Sequence, residues 1–275
     1  MGERIYNGLI WLGLSAILVF TPLARGAVRV WSITPVLLVV TVLVFAWLWK
    51  LNNSPQPTVH SPRFYKTPLD IPILVFALLA VVSLVFSIYK YASFYALLRL
   101  LSYVGIYYLI VNNYSRGLRR YLIALVICLG TGLSIYGLLQ YFGVLPHAWW
   151  IPNDFLAATY VNHNHFAGYL ELVIPVTAGV LIGKITHATS EKPRTFGAVR
   201  LGGVVLALVI MVVAFVFTQS RGAWISLVIS LFVMNVILIK RKILKPKSIA
   251  VLILAIALVL SFACFKEGKV SERID

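Results

Sequence analysis

The sequence predicts an all-α, polytopic integral membrane protein, and three observations carry that reading. Of 275 residues 61% are hydrophobic and 12% charged, well above the ~45 to 50% apolar share of soluble domains. The mean hydropathy is +0.93. The apolar residues fall in continuous runs of about 17 to 21, the helix length that crosses a ~30 Å hydrocarbon layer. None of the runs alternates with a period of two, which excludes a barrel.

The first run, Ile5–Thr21, follows Arg4 and ends at Pro22. Ala24-Arg25-Gly26 behind it has the small-x-small form of a cleavage site, but the length of the run and the spans that follow favour a retained helix. The second, Val30–Trp49, carries Trp31 near one end and Trp47 and Trp49 at the other, where interfacial aromatics sit. Lys50 to Pro68 is polar and reads as a loop. Further runs cover Leu69–Ile88, Ala92–Val111, Tyr121–Tyr141, Phe166–Ile185, Val199–Phe217, Ala223–Ile239 and Ile249–Phe265. Nine transmembrane helices are therefore expected, in one helical membrane domain over residues 1–275.

The net charge of +16 would by itself suit nucleic acid. Its Lys and Arg residues lie in short segments between apolar runs, however, which is the pattern of membrane topology. Membrane lipids are expected partners and nucleic acid is not. Clusters at Lys50 to Lys66, Arg116 to Arg120, Lys184 to Arg200 and Lys240 to Lys247 fall on one side of the alternating runs. The positive-inside rule makes that side cytoplasmic, with the N-terminus inside and the C-terminus periplasmic. Cys128 and Cys264 both lie within runs, and their spacing gives neither a disulfide framework nor a metal site.

Cations that break the rule are the informative ones. Arg25, Arg29, Lys90 and Arg221 lie in short outer turns, and Arg99 lies within the fourth run. Two readings stand side by side: contact with lipid headgroups, and an anionic ligand held by guanidinium groups, which stay charged and offer a planar fork of donors. Thr218-Gln219-Ser220-Arg221-Gly222 leaves room only for a tight turn, so Arg221 is held at a membrane surface.

Between the fifth and sixth runs lie Pro146-His147-Ala148-Trp149-Trp150 and then Tyr160-Val161-Asn162-His163-Asn164-His165-Phe166-Ala167-Gly168-Tyr169-Leu170-Glu171. Asn162 or Asn164 can cap the sixth helix and leave its backbone donors facing outwards for phosphate oxygens. A helix starting near Asn164 places Asn164, Gly168 and Glu171 on one face. An acid at that depth needs a cation, water or a proton, and Arg99 and Arg221 are the cations at matching depth. His163 and His165 do not share a helical face and no third ligand has suitable spacing, so neither a metal nor another cofactor is expected.

The stretch Val161 to Leu170, ending in Pro175, together with Thr218 to Trp224 and Pro22 to Gly26, resembles the O-antigen ligase and O-antigen polymerase superfamily of bacterial inner-membrane proteins. The resemblance implies metal-independent glycosyl transfer from an undecaprenyl diphosphate-linked glycan to an acceptor glycan, lipid or protein at the periplasmic face. By the same resemblance Arg221, with Arg99 and Arg25, would hold the diphosphate. Asn162, Asn164, Glu171 and Ser220 would line the donor sugar site. The family's presumed base is a histidine in a large loop that would begin near Asp275, which leaves His163 and His165 as the candidates within this sequence. Two alternative readings are a small-anion, bicarbonate-type transporter and a noncatalytic membrane scaffold.

Overall fold

A computed structural model describes residues 3–53, 65–113, 115–146, 155–188 and 195–245. Helix accounts for 83% of the described residues, and there are no strands among them. The helices are α1 (Glu3–Leu23), α2 (Val30–Asn53), α3 (Asp70–Val85), α4 (Lys90–Asn112), α5 (Arg116–Tyr141), α6 (His163–Ala188), α7 (Thr195–Phe217) and α8 (Arg221–Lys240), with one 3-10 turn at Arg25–Ala27. Six of them, α1, α2, α4, α5, α6 and α8, are long and apolar enough to cross a membrane. The apolar stretches Asp70–Val85 and Leu201–Phe217 are shorter. Six candidate spans thus stand where the sequence reading expects nine. The ninth run, Ile249–Phe265, and the His147, Trp149 and Trp150 segment lie outside the described residues.

Two compact units, residues 1–122 and 123–275, divide within α5. In the first, α2 packs on α1 and α4, and α3 packs on α4. Its core holds Tyr6, Ile10, Leu14, Val36, Val40, Leu43 and Leu109. Small residues let the backbones approach, as helix association in lipid requires: a Cβ on Gly13 would meet Leu43 Cδ1 at 2.7 Å. Tyr6 is 1% exposed, and its hydroxyl donates to Asn113 Oδ1 at 2.6 Å. Lys50 Nζ lies 4.1 Å from the centre of the same ring. The stretch read as a loop from Lys50 therefore begins as helix, since α2 runs on to Asn53.

In the second unit α6 packs on both α7 and α8. Its buried stripe is Phe166, Ala167, Leu170, Val173, Ile174 and Thr177, the 3.6-residue periodicity of a helix with one packed face. On α5, a Cβ at Gly130 would meet Met211 Sδ and Val173 Cγ1, each at 2.9 Å. The Leu156 amide donates to the Phe217 carbonyl at 3.1 Å. That bond joins the segment entering α6 to the end of α7, so α6 and α7 run antiparallel. Only Thr218 to Ser220 separate α7 from α8, and α6 and α8 consequently begin at the same end of the unit.

Candidate functional site

The end at which α6 and α8 begin is built from non-helical backbone that is nonetheless buried. Leu156, Ala157 and Ala158 are 1%, 2% and 1% exposed. A Cβ on Gly137 of α5 would meet Leu156 Cδ2 at 2.7 Å and Ala158 Cβ at 3.0 Å. Irregular chain at membrane depth is tolerated only where protein or a water-filled cavity surrounds it. Ala158 and Gln219 hold positive φ of 51° and 54°, a conformation that costs a non-glycine residue roughly 1 to 3 kcal/mol and persists where packing enforces it. Aromatic rings complete the wall. Phe155 stacks on His163 at 4.5 Å, Tyr160 lies 5.7 Å from Phe166 and 6.0 Å from Tyr169, and Tyr141 lies 4.9 Å from Phe217. Burial pushes the Tyr160 phenol up from its ordinary pKa, so it stays neutral.

Asn162 caps α6. Its Oδ1 accepts the Asn164 amide at 2.8 Å, and its carbonyl accepts the amides of His165 and Phe166 at 3.0 and 3.3 Å. The helix begins at His163, so Asn162 rather than Asn164 is the cap. These bonds engage donors that the sequence reading left open for phosphate oxygens, because a short Asn side chain folds back on its own backbone more readily than it reaches a ligand. The face carrying Asn164, Gly168 and Glu171 forms as expected: Asn164 is exposed, Gly168 and Glu171 are half-buried, and nothing lies within 4 Å of a Cβ placed on Gly168. His165 is exposed and His163 half-buried.

The start of α8 is built differently. Ser220 is its N-cap in extended conformation and makes no side-chain cap bond. Arg221, exposed, is the first helical residue. A cation at a helix N-terminus opposes the helix dipole, which favours negative charge there. Trp224, one turn on, packs into the core of the unit with its indole Nε1 buried and without a hydrogen-bond partner, and the same holds for Oε1 of Gln140, which is 6% exposed.

Asn162, Asn164, Ser220 and Arg221 thus come to one end of the second unit, with Glu171 two turns into α6. Arg25 and Arg99 belong to the first unit, where both are half-buried. Arg25 opens a left-handed turn with φ of 58° at Arg25, 74° at Gly26 and 53° at Ala27. Arg99 reaches the residue after that turn, its Nη2 donating to the Val28 carbonyl at 3.1 Å. Tyr95, Gln140, Tyr160 and Trp224 were not singled out by sequence reasoning. Tyr95 had a signal, since it lies four residues before Arg99 and so on the same helical face. Among the described residues no three His, Cys, Asp or Glu side chains converge.

The fold and composition define the class as a multi-pass, all-helical membrane protein. No family model, no curated protein and no solved structure matches the chain.

Proposed function

We propose that the protein is an O-antigen ligase-like membrane glycosyltransferase, and that its second unit holds the diphosphate of an undecaprenyl diphosphate-linked glycan while the glycan passes to an acceptor glycan, lipid or protein. The observation that carries this reading is Arg221 at the first position of α8 behind a Ser220 that makes no side-chain cap. A dianionic group placed there gains from the guanidinium and from the helix dipole together, and it reverses the unfavourable placement of a cation at that terminus. In the transfer, the bond from the anomeric carbon to the phosphate oxygen breaks and a bond to the acceptor oxygen forms. Negative charge grows on the departing diphosphate, where Arg221 stabilises it. The acceptor's proton goes to a base, for which His165 and His163 stand at the same end of the unit.

The open face of α6 at Asn164, Gly168 and Glu171 offers amide and carboxylate partners to sugar hydroxyls. Arg25 and Arg99 sit in the first unit, so the diphosphate assignment rests on Arg221. In the proposed orientation nine helices cross the bacterial inner membrane, the N-terminus is cytoplasmic and the C-terminus periplasmic. Lys240, Arg241, Lys242 and Lys245 at the far end of α8 favour that orientation. The test is donor binding by the purified protein in lipid nanodiscs. Arg221→Lys keeps charge and loses the fork, and is expected to weaken binding of undecaprenyl diphosphate roughly tenfold, with Arg221→Ala weaker still. Equal affinity in all three proteins would return Arg221 to headgroup contact.

A further inference from the structure

We propose that the first unit holds a single small monovalent anion, of the size of chloride or bicarbonate, between the guanidinium of Arg99 and the phenol of Tyr95. Arg99 lies on α4 about 14 Å along the helix from Lys90, at 1.5 Å per residue. Its guanidinium stacks over the Tyr95 ring at 4.7 Å, and its Nη2 is committed to the Val28 carbonyl. Two polar atoms of this pair are left over. Nε of Arg99 and the hydroxyl oxygen of Tyr95 are both buried, and neither has a hydrogen-bond partner.

Buried polar groups in folded proteins are almost always paired, because an unpaired one forfeits its hydration and gains nothing. Here the two orphans share one helical face one turn apart. A single acceptor making two hydrogen bonds spans up to ~6 Å, which suits an Nε and a hydroxyl on a stacked pair.

Charge decides between water and an anion. Within the first unit the only carboxylate whose side chain is described is Asp70, and it accepts bonds from Thr67 and Tyr108, nine residues beyond Arg99 along α4. Among the described side chains the Arg99 cation therefore has a carbonyl and a ring face for company but no acid. Water would satisfy both orphaned atoms without balancing the charge of the half-buried Arg99, whereas an anion does both. Two donors fit a halide or one oxygen edge of bicarbonate, and a diphosphate needs more.

The site also touches the strained turn. Val28 follows three residues held at left-handed φ, and the bond from Arg99 is a tie on that backbone. An anion on Nε fixes the guanidinium and so holds the turn, which predicts that binding stabilises the fold.

The experiment is thermal unfolding of the purified full chain in detergent, titrated with sodium chloride against sodium gluconate at constant ionic strength, with a parallel bicarbonate series. The wild type is expected to show a saturable rise in midpoint. Tyr95→Phe keeps the ring under the guanidinium and removes one donor, and should raise the half-saturating concentration roughly tenfold. Arg99→Gln should abolish saturation; where it does not fold, Tyr95→Phe carries the test. Arg221→Ala should keep the rise. Indifference of the wild type to both anions, or unchanged saturation in Tyr95→Phe, overturns the proposal. Loss of the rise in Arg221→Ala would place the anion at α8 and overturn it equally.

Discussion

Gly137 shows how much one missing methyl group decides. A Cβ there would stand 2.7 Å from Leu156 Cδ2 and 3.0 Å from Ala158 Cβ. Leu156 could rotate away, but Ala158 Cβ is fixed to a backbone already at φ of 51°, so it cannot yield cheaply. Gly137→Ala should therefore destabilise the protein by roughly 1 to 3 kcal/mol, the usual cost of overpacking, and loosen the segment that positions Asn162. Gly132 is the control, since a Cβ there has nothing within 4 Å, and Gly132→Ala should be neutral or slightly stabilising. Denaturant unfolding in mixed micelles, followed by tryptophan fluorescence, checks both. Equal effects of the two substitutions would show that the approach of α5 to the 156–158 segment is not tight in solution.

At the scale of elements, the start of α3 is a local device with a pH signature. Asp70 Oδ1 accepts the Thr67 hydroxyl at 2.6 Å, Oδ2 accepts the Thr67 amide at 2.9 Å, and the Tyr108 hydroxyl of α4 donates to Oδ1 at 3.0 Å. The Thr67 bonds, hydroxyl then amide, hold the Asp70 carboxyl below its usual 3.8. A depressed folded value means that the stabilisation is complete above the ordinary carboxylate range and disappears as pH falls through the lower folded value. Acidification from pH 6 to pH 3 should therefore cost the wild type more stability than Asp70→Asn, which has no charge to lose. Parallel acid titrations of the two proteins by circular dichroism give the comparison, and superimposable curves would remove Asp70 from the account. The α7–α8 connection is a contrasting element: it is only three residues long, yet α6, not α8, is the main packing partner of α7.

At the scale of the molecule, the arrangement of the second unit makes a prediction that does not depend on which side is cytoplasmic. Because the Leu156–Phe217 bond sets α7 antiparallel to α6 and three residues join α7 to α8, Asn164 and Gly222 lie at one end and Lys242 at the other. Single-cysteine variants at Asn164 and Gly222, with Cys128 and Cys264 replaced, should react with an impermeant maleimide from the same side of sealed vesicles, and one at Lys242 from the opposite side. Labelling of Gly222 and Lys242 from one side would mean that α8 does not cross the bilayer.

What the sequence by itself determined was the class and most of the helices, because hydrocarbon admits only helices or closed barrels and run length selects between them. Val30 begins α2 and Phe217 ends α7 in both readings; α1, α5 and α6 extend beyond their apolar runs because polar first and last turns, such as Arg116 to Arg120, leave no hydropathy signal. The position of Arg221 was legible only in part: the sequence reading put it in a turn ahead of a run beginning at Ala223, whereas α8 begins at Arg221 itself, because a polar first turn leaves no hydropathy signal. Tertiary structure decided which donors remain for a ligand. The burial of Ala157 and Ala158 and the bond from Arg99 to the Val28 carbonyl depend on which backbone lies alongside, whereas the Asn162 bond to the Asn164 amide and the stacking of Arg99 on Tyr95 are contacts between near neighbours in the chain. Hydropathy reports the preference of each residue for lipid or water; it carries no record of the neighbour a polar atom finds once the helices have packed.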